Sequence, residues 1–272
     1  MKTKIKNLLG AVLSLLVTFG IIQSAAAQTT CIDPPAGLVA WWRGEGNAQD
    51  SVGSHHGALQ GGVSFVAGKV GQALSFNGAA DSFITLPNSP DFVPVGNQLT
   101  IDAWIKPDFT AANEFDTILT KRDGCSGSGI GYFLGVGKEG SGYAPGTVFL
   151  TMSTASGDAV IPSGDTVVPN DGQFHHVAGT FDGAMMRVYL DGQLIGQAAR
   201  AEPILPTTSA PVISHHGGSC SQRAVAVMDE IGFYNRALSD AEIQAIYAAG
   251  SAGKCIPVLD TDNDGVPDAT DN

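Results

Sequence analysis

The feature that most limits what this chain can fold into is a stretch where apolar alternation and turn dipeptides interlock. Residues 174–181 alternate, Asp182-Gly183 interrupts them, residues 185–190 alternate again, Asp191-Gly192 interrupts those, and residues 193–197 follow. Asp-Gly tolerates the positive φ that tight hairpin turns demand, so the stretch predicts an antiparallel meander. The same period of two runs through residues 99–106. Leu99, Ile101, Ala103 and Ile105 point one way, while Thr100, Asp102, Trp104 and Lys106 point the other. Further strands are expected at 38–43, 73–76, 83–86, 117–121, 132–136, 148–152, 211–214 and 224–234. With 35 glycines in 272 residues and 15% charged side chains, the chain suits short strands and tight turns better than long solvated helices. The expected fold class is all-β: two stacked antiparallel sheets.

One short C-terminal helix breaks the pattern. Ser239-Asp240-Ala241-Glu242 is a capping box, Ile243, Ile246 and Tyr247 fall on one face, and Gly250 supplies the stop. This helix is expected on the edge of the sandwich, in a structural role.

Residues 1–27 read as a secretory signal. Lys2, Lys4 and Lys6 precede an apolar run at 8–22, and Ala25-Ala26-Ala27 offers small residues for cleavage before Gln28. Fifteen residues fall short of the roughly 20 needed to span a bilayer. Losing the three lysines takes the formal charge from −12 to −15, which repels nucleic-acid backbones and anionic lipid alike. The expectation is therefore a secreted or cell-surface protein with no nucleic-acid partner and no membrane insertion.

An exported chain gives its cysteines meaning. Cys31, Cys125, Cys220 and Cys255 are an even count without a C-x-x-C, and they allow three pairings. Cys31 and Cys255 bracket the β-rich sequence, and Cys125 and Cys220 both sit in Gly/Ser-rich loops. The favoured pairs are 31–255 and 125–220. The expected layout is a lead at 28–36, one domain at 37–255 and an acidic tail at 256–272.

Four stretches give the domain a resemblance. They are Gly37-Leu-Val-Ala-Trp-Trp-Arg-Gly-Glu45, Gly71-Gln-Ala-Leu-Ser-Phe-Asn-Gly78, Phe174-His-His-Val-Ala-Gly-Thr-Phe-Asp-Gly183 and Met228-Asp-Glu-Ile-Gly-Phe-Tyr-Asn-Arg-Ala-Leu-Ser239. In this order they resemble the LamG-like jelly-roll domains of the concanavalin A-like superfamily. Phe174 departs from the pattern, which usually has Trp before the histidine pair, and reads as a conservative packing change. The resemblance implies a jelly-roll sandwich and extracellular recognition of a glycan or protein, often with calcium. Fold alone does not settle the activity.

The same superfold hosts laminarinase-type glycoside hydrolases, which need two carboxylates on one strand face. The nearest approach is Glu114-Phe115-Asp116, with Ile118 and Leu119 where the second glutamate belongs. The chain therefore reads as a non-catalytic binding or adhesion module, with no catalytic residues assigned. The alternative is a carbohydrate-active enzyme, or its accessory carbohydrate-binding domain. The histidines come in pairs, His55-His56, His175-His176 and His215-His216, and strand neighbours point apart, so structural roles are favoured over zinc. Trp41, Trp42 and Trp104 are expected in the core rather than in a sugar-stacking site.

Asp229 shares an alternating face with Val225, Val227, Ile231 and Phe233, where a carboxylate needs a cation or N–H donors. It could share one calcium with Asp50, in the loop at 46–54. Alternatively, Asp229 accepts backbone hydrogen bonds and Asp50 caps a turn. The tail is more explicit. Asp260, Asp262 and Asp264 stand at positions 1, 3 and 5 of a loop, Gly265 at 6, Asp268 at 9 and Asp271 at 12. That is the register of an EF-hand calcium loop, without the flanking helices. The segment resembles a thrombospondin type 3 repeat, which makes calcium the expected cofactor.

Overall fold

The computed structural model describes residues 30–109, 115–124, 130–215 and 223–256. The expected leader and cleavage point, Glu114, Cys125, His216, Cys220 and the tail aspartates lie outside the described residues.

Among the described residues, fifteen strands and one α-helix follow in chain order: β1 Leu38–Trp42, β2 Ala58–Leu59, β3 Ser64–Ala67, β4 Gln72–Asn77, β5 Ile84–Thr85, β6 Leu99–Pro107, β7 Phe115–Arg122, β8 Gly131–Gly137, β9 Val148–Thr154, β10 Gly157–Pro162, β11 His175–Phe181, β12 Met185–Leu190, β13 Gln193–Ala199, β14 Val212–Ile213, β15 Val225–Tyr234 and α1 Asp240–Ala249. They build two antiparallel sheets. The larger has the order β13-β12-β11-β6-β15-β4-β3, with β1 also paired to β15; the smaller has the order β10-β9-β8-β7-β14-β5-β2. The expected all-β, two-sheet sandwich with one short helix is the fold, consistent with a concanavalin A-like jelly roll.

The meander forms as the turn chemistry dictates. Leu190 pairs with Gln193 across Asp191 and Gly192, both at positive φ, as a two-residue hairpin turn requires. Asp182-Gly183 sits in a longer loop, where the Asp182 carboxylate accepts the Ala184 and Met185 N–H groups.

Alternation fills the space between the sheets. Leu99, Ile101, Ala103 and Ile105 of β6 share one core with Leu134, Leu150, Val177, Val188, Met228 and Phe233. Gly179 of β11 faces the same space. A Cβ there would lie 3.0 Å from Leu134 Cδ1 and 3.1 Å from Leu150 Cδ1, so a side chain would press directly on the opposite sheet.

One expectation needs correction. β15 does not keep one alternation, because Asp229 pairs with Trp104 while Gly232 pairs with Asp102. One extra residue is accommodated at Glu230, whose φ is 56°, and this β-bulge flips the faces. Ala226 and Met228 are in the core before it, and Ile231 and Phe233 after it. Asp229 therefore does not share a face with Ile231 and Phe233. The helix packs Leu238, Ile243 and Ile246 on Ala178, Tyr189 and Tyr234, over the outer face of the larger sheet, and reaches its edge strand β13, where Gln193 donates to Gln244. Its capping box forms as expected.

Candidate functional site

The outer face of the larger sheet divides into a sealed half and an open half. The sealed half lies under α1 and the Cys31–Cys255 disulfide. Ile32 donates its N–H to the Gly253 carbonyl at 3.1 Å, and Cys255 donates to Ile32 at 2.7 Å. This tie directs Lys254 inward. Its Nζ lies 3.5 Å from Asp102 Oδ2, 3.3 Å from the Glu230 carbonyl and 5.3 Å over the Trp41 ring. His176 Nε2 pairs with the same Asp102 oxygen at 3.2 Å. Burial alone would raise the Asp102 carboxyl. The Lys254 charge and the His176 hydrogen bond overcome it and hold the group below the usual carboxylate range. Protein groups fill this half, and its role is structural.

The open half is a groove of about 410 Å³. The register places its parts: Lys106 of β6 stands opposite Val227 of β15, and Val227 opposite Ser75 of β4. These side chains alternate outward from strands whose other faces build the core. Val225 and Pro107 extend the apolar floor, and Asp108, Asn170 and Gly172 form the rim. Lys106 Nζ lies 5.2 Å over the Phe174 ring, within cation–π range. Phe174 thus props a charged side chain, a role its reading as a packing change did not reach. An apolar floor with a few convergent polar groups is the usual make-up of a small-ligand site.

The residues expected from sequence fall in several places. Trp41, Trp42 and Trp104 are all at most 3% exposed. Trp42 belongs to the inter-sheet core, and Trp41 lies under Lys254 on the opposite face. Trp104 sits beneath Lys69, whose Nζ is 4.2 Å from its ring centre. The Asp50 carboxylate accepts N–H groups from Trp41, Val52 and His55, closing the loop at its own end of β1. The Asp229 carboxyl instead accepts the Val70 N–H at 2.9 Å. Burial raises it to about 7, against the pull of that hydrogen bond. The two aspartates thus meet different segments, and among the described residues no three His, Cys, Asp or Glu side chains gather to hold a metal. His55 lies between Asp50 and Asp91, and His175 between Asp191 and Asp171. Asp116 is buried in an ion pair with Lys138 at 3.0 Å and accepts the Val225 N–H. That fixes it as part of the frame.

The groove residues Lys106, Ser75, Asn170 and Val227 were not expected as a site. They come from separate segments that only the sheet order joins. The outward set ending in Trp104 and Lys106, beside a Phe174 that breaks a family pattern, was the available signal.

A model of the Laminin_G_3 family, described as concanavalin A-like lectin/glucanases superfamily, matches residues 77–244. No curated protein matches the chain. Among solved structures, the binding domain of Paraclostridial Mosquitocidal Protein 1 is similar, with a TM-score of 0.61 and 18% identity over 78% of this chain and 52% of that one. Domain 4 of AbnA, an extracellular arabinanase from Geobacillus stearothermophilus in complex with arabinotriose, has a TM-score of 0.60 and 19% identity over 76% and 97%. The binding domain of Botulinum Neurotoxin DC, in complex with SialylT, has a TM-score of 0.57 and 13% identity over 78% and 50%. The chain spans about half the length of the toxin domains, and at these identities the likeness is one of fold. With most of the sandwich inside the family match, the chain belongs to the Laminin_G_3 family of the concanavalin A-like lectin/glucanases superfamily.

Proposed function

We propose that the protein is a secreted, non-catalytic recognition module that binds a glycan, free or carried on an extracellular protein, in the groove between Ser75, Lys106 and Asn170. The observation that carries this reading is the groove itself: an apolar floor with an amide, a hydroxyl, an ammonium and the Asp108 carboxylate at its margin. That mix suits a ligand with both apolar ring faces and hydroxyls. Arabinotriose and SialylT in two similar structures support the same class of ligand. A binding role is also supported by Asp116, whose carboxylate is committed to Lys138. Secretion, with cleavage after Ala27, is supported by the leader pattern and by the Cys31–Cys255 bridge. We assign the Cys125–Cys220 pair to a second bridge. Mass mapping of the non-reduced protein should recover both, and a Cys31–Cys125 peptide would contradict this pairing.

The proposal includes calcium held by Asp260, Asp262, Asp264, Asp268 and Asp271, at the weak extracellular end of affinities. Calorimetry with and without residues 260–272 tests it, and equal calcium uptake by both would leave the tail a solvated end. A glycan-array screen of mature protein, with and without calcium, tests the function. Binding to a defined glycan set is expected, and loss of all signal in both conditions would count against it.

A further inference from the structure

Lys106 and Lys69 lack the partners that the other described lysines find, each resting on an aromatic ring, and of the two only Lys106 lines the groove. Arg43, Arg122, Lys138, Arg187, Arg236 and Lys254 each reach a carboxylate. Lys121 donates to Asn88 Oδ1 and the Ser209 carbonyl. Lys106 has no hydrogen-bonding or ion-pairing partner among the described residues, in a chain with a formal charge of −12. Its ammonium rests over Phe174 at 5.2 Å and lines the groove. The ring holds the side chain but leaves the three N–H donors unused. Acids are plentiful in this chain, so a cation left without one inside the proposed ligand groove is a receptor for an anion from outside.

We propose that the groove takes an acidic saccharide, with the sugar carboxylate on Lys106 and the hydroxyls toward Asn170 and Ser75. This rests on the glycan reading above and names its ligand class. Asp108, two residues beyond Lys106, lines the same groove, so an ammonium and a carboxylate both face the ligand, and the ligand's own carboxylate belongs on the ammonium. Val225 and Val227, both half-buried, supply the floor against which the apolar face of a pyranose lies. One half-buried lysine paired with one carboxylate in an open groove is a salt-sensitive contact. It contributes selectivity between charged and neutral sugars more than total affinity.

The test uses mature protein and two matched pairs of probes, trigalacturonate against its carboxyl-reduced counterpart and 3′-sialyllactose against lactose. Affinities are measured by calorimetry at low and high salt. For at least one pair, the acidic member should bind about tenfold tighter than the neutral one at low salt, with the gap narrowing at high salt. Lys106→Met should bring the acidic member to the level of the neutral one, Lys106→Arg should keep most of the gap, and Lys69→Met, outside the groove, should leave it unchanged. Equal binding of acidic and neutral members by the unaltered protein, or a gap that survives Lys106→Met, would overturn the acidic ligand while leaving the glycan reading standing. No binding of any of the four probes, together with a blank array, would overturn both.

Discussion

Lys254 is the counter-ion of Asp102: Nζ and Oδ2 are 3.5 Å apart, and both side chains are about 1% exposed. The pair joins a residue next to the C-terminal cysteine to the middle of the larger sheet. Removing one member of a buried pair strands the other charge, which costs about 3–5 kcal/mol. Lys254→Met should lower the free energy of unfolding by that order in urea titrations. The double variant Lys254→Met/Asp102→Asn should recover much of it. A loss below 1 kcal/mol for the single variant would show that the pair is not the anchor described.

The Cys31–Cys255 bridge spans a sequence separation of 224. Chain entropy alone assigns a loop of that length up to about 5 kcal/mol. Cys31→Ser/Cys255→Ser should therefore destabilise the domain, and should add little to the effect of Lys254→Met because both release the same segment. Full additivity of the two effects would place Lys254 outside the control of the bridge.

The helix start carries a measurable pH dependence. Arg236 forks onto Glu242, which also caps Ser239, and these contacts hold the Glu242 carboxyl down to about 2. A depressed carboxylate stabilises the fold above its unfolded value of 4.5, and the contribution is lost as pH falls toward 2. The pair is roughly one-third exposed, so after solvent screening the expected contribution is about 1 kcal/mol. Glu242→Gln should remove it at pH 7 and leave stability at pH 2 unchanged.

Asp229 gives the opposite sign. Burial raises its carboxyl to about 7 from 3.8, so the fold favours the protonated form. That contribution is complete below 3.8 and is lost as pH rises through 7, at a cost of as much as about 4 kcal/mol. Unfolding followed in chelator from pH 4 to 8 should show stability falling with pH, and Asp229→Asn should flatten the slope. An unchanged slope would place the dependence on other groups.

The sandwich was legible because alternation and Asp-Gly turns are local signals. β6, β11, β12 and β15 all lie where apolar residues alternate. Three strands were not expected: β2 is exposed along its length, β3 turns only Phe65 toward the core, and β10 shows just two core residues, Ala159 and Ile161, amid Gly, Asp and Pro. The bulge at Glu230 was invisible for another reason. Nothing local marks the extra residue, which shows only against the pairing with β6, so Asp229 was assigned to the face of Ile231. The groove was the least legible part, because Lys106, Val227 and Ser75 become neighbours only through strand order.

The proposed ligand site is the groove above Val227. Val227→Trp puts an indole into that space from a half-buried strand position where aromatic residues are well tolerated. Calorimetry with the strongest glycan from the array is the direct measurement. Binding should fall at least tenfold with the thermal midpoint held within a few degrees. Undiminished binding by a folded Val227→Trp protein would contradict it and move the site off this face.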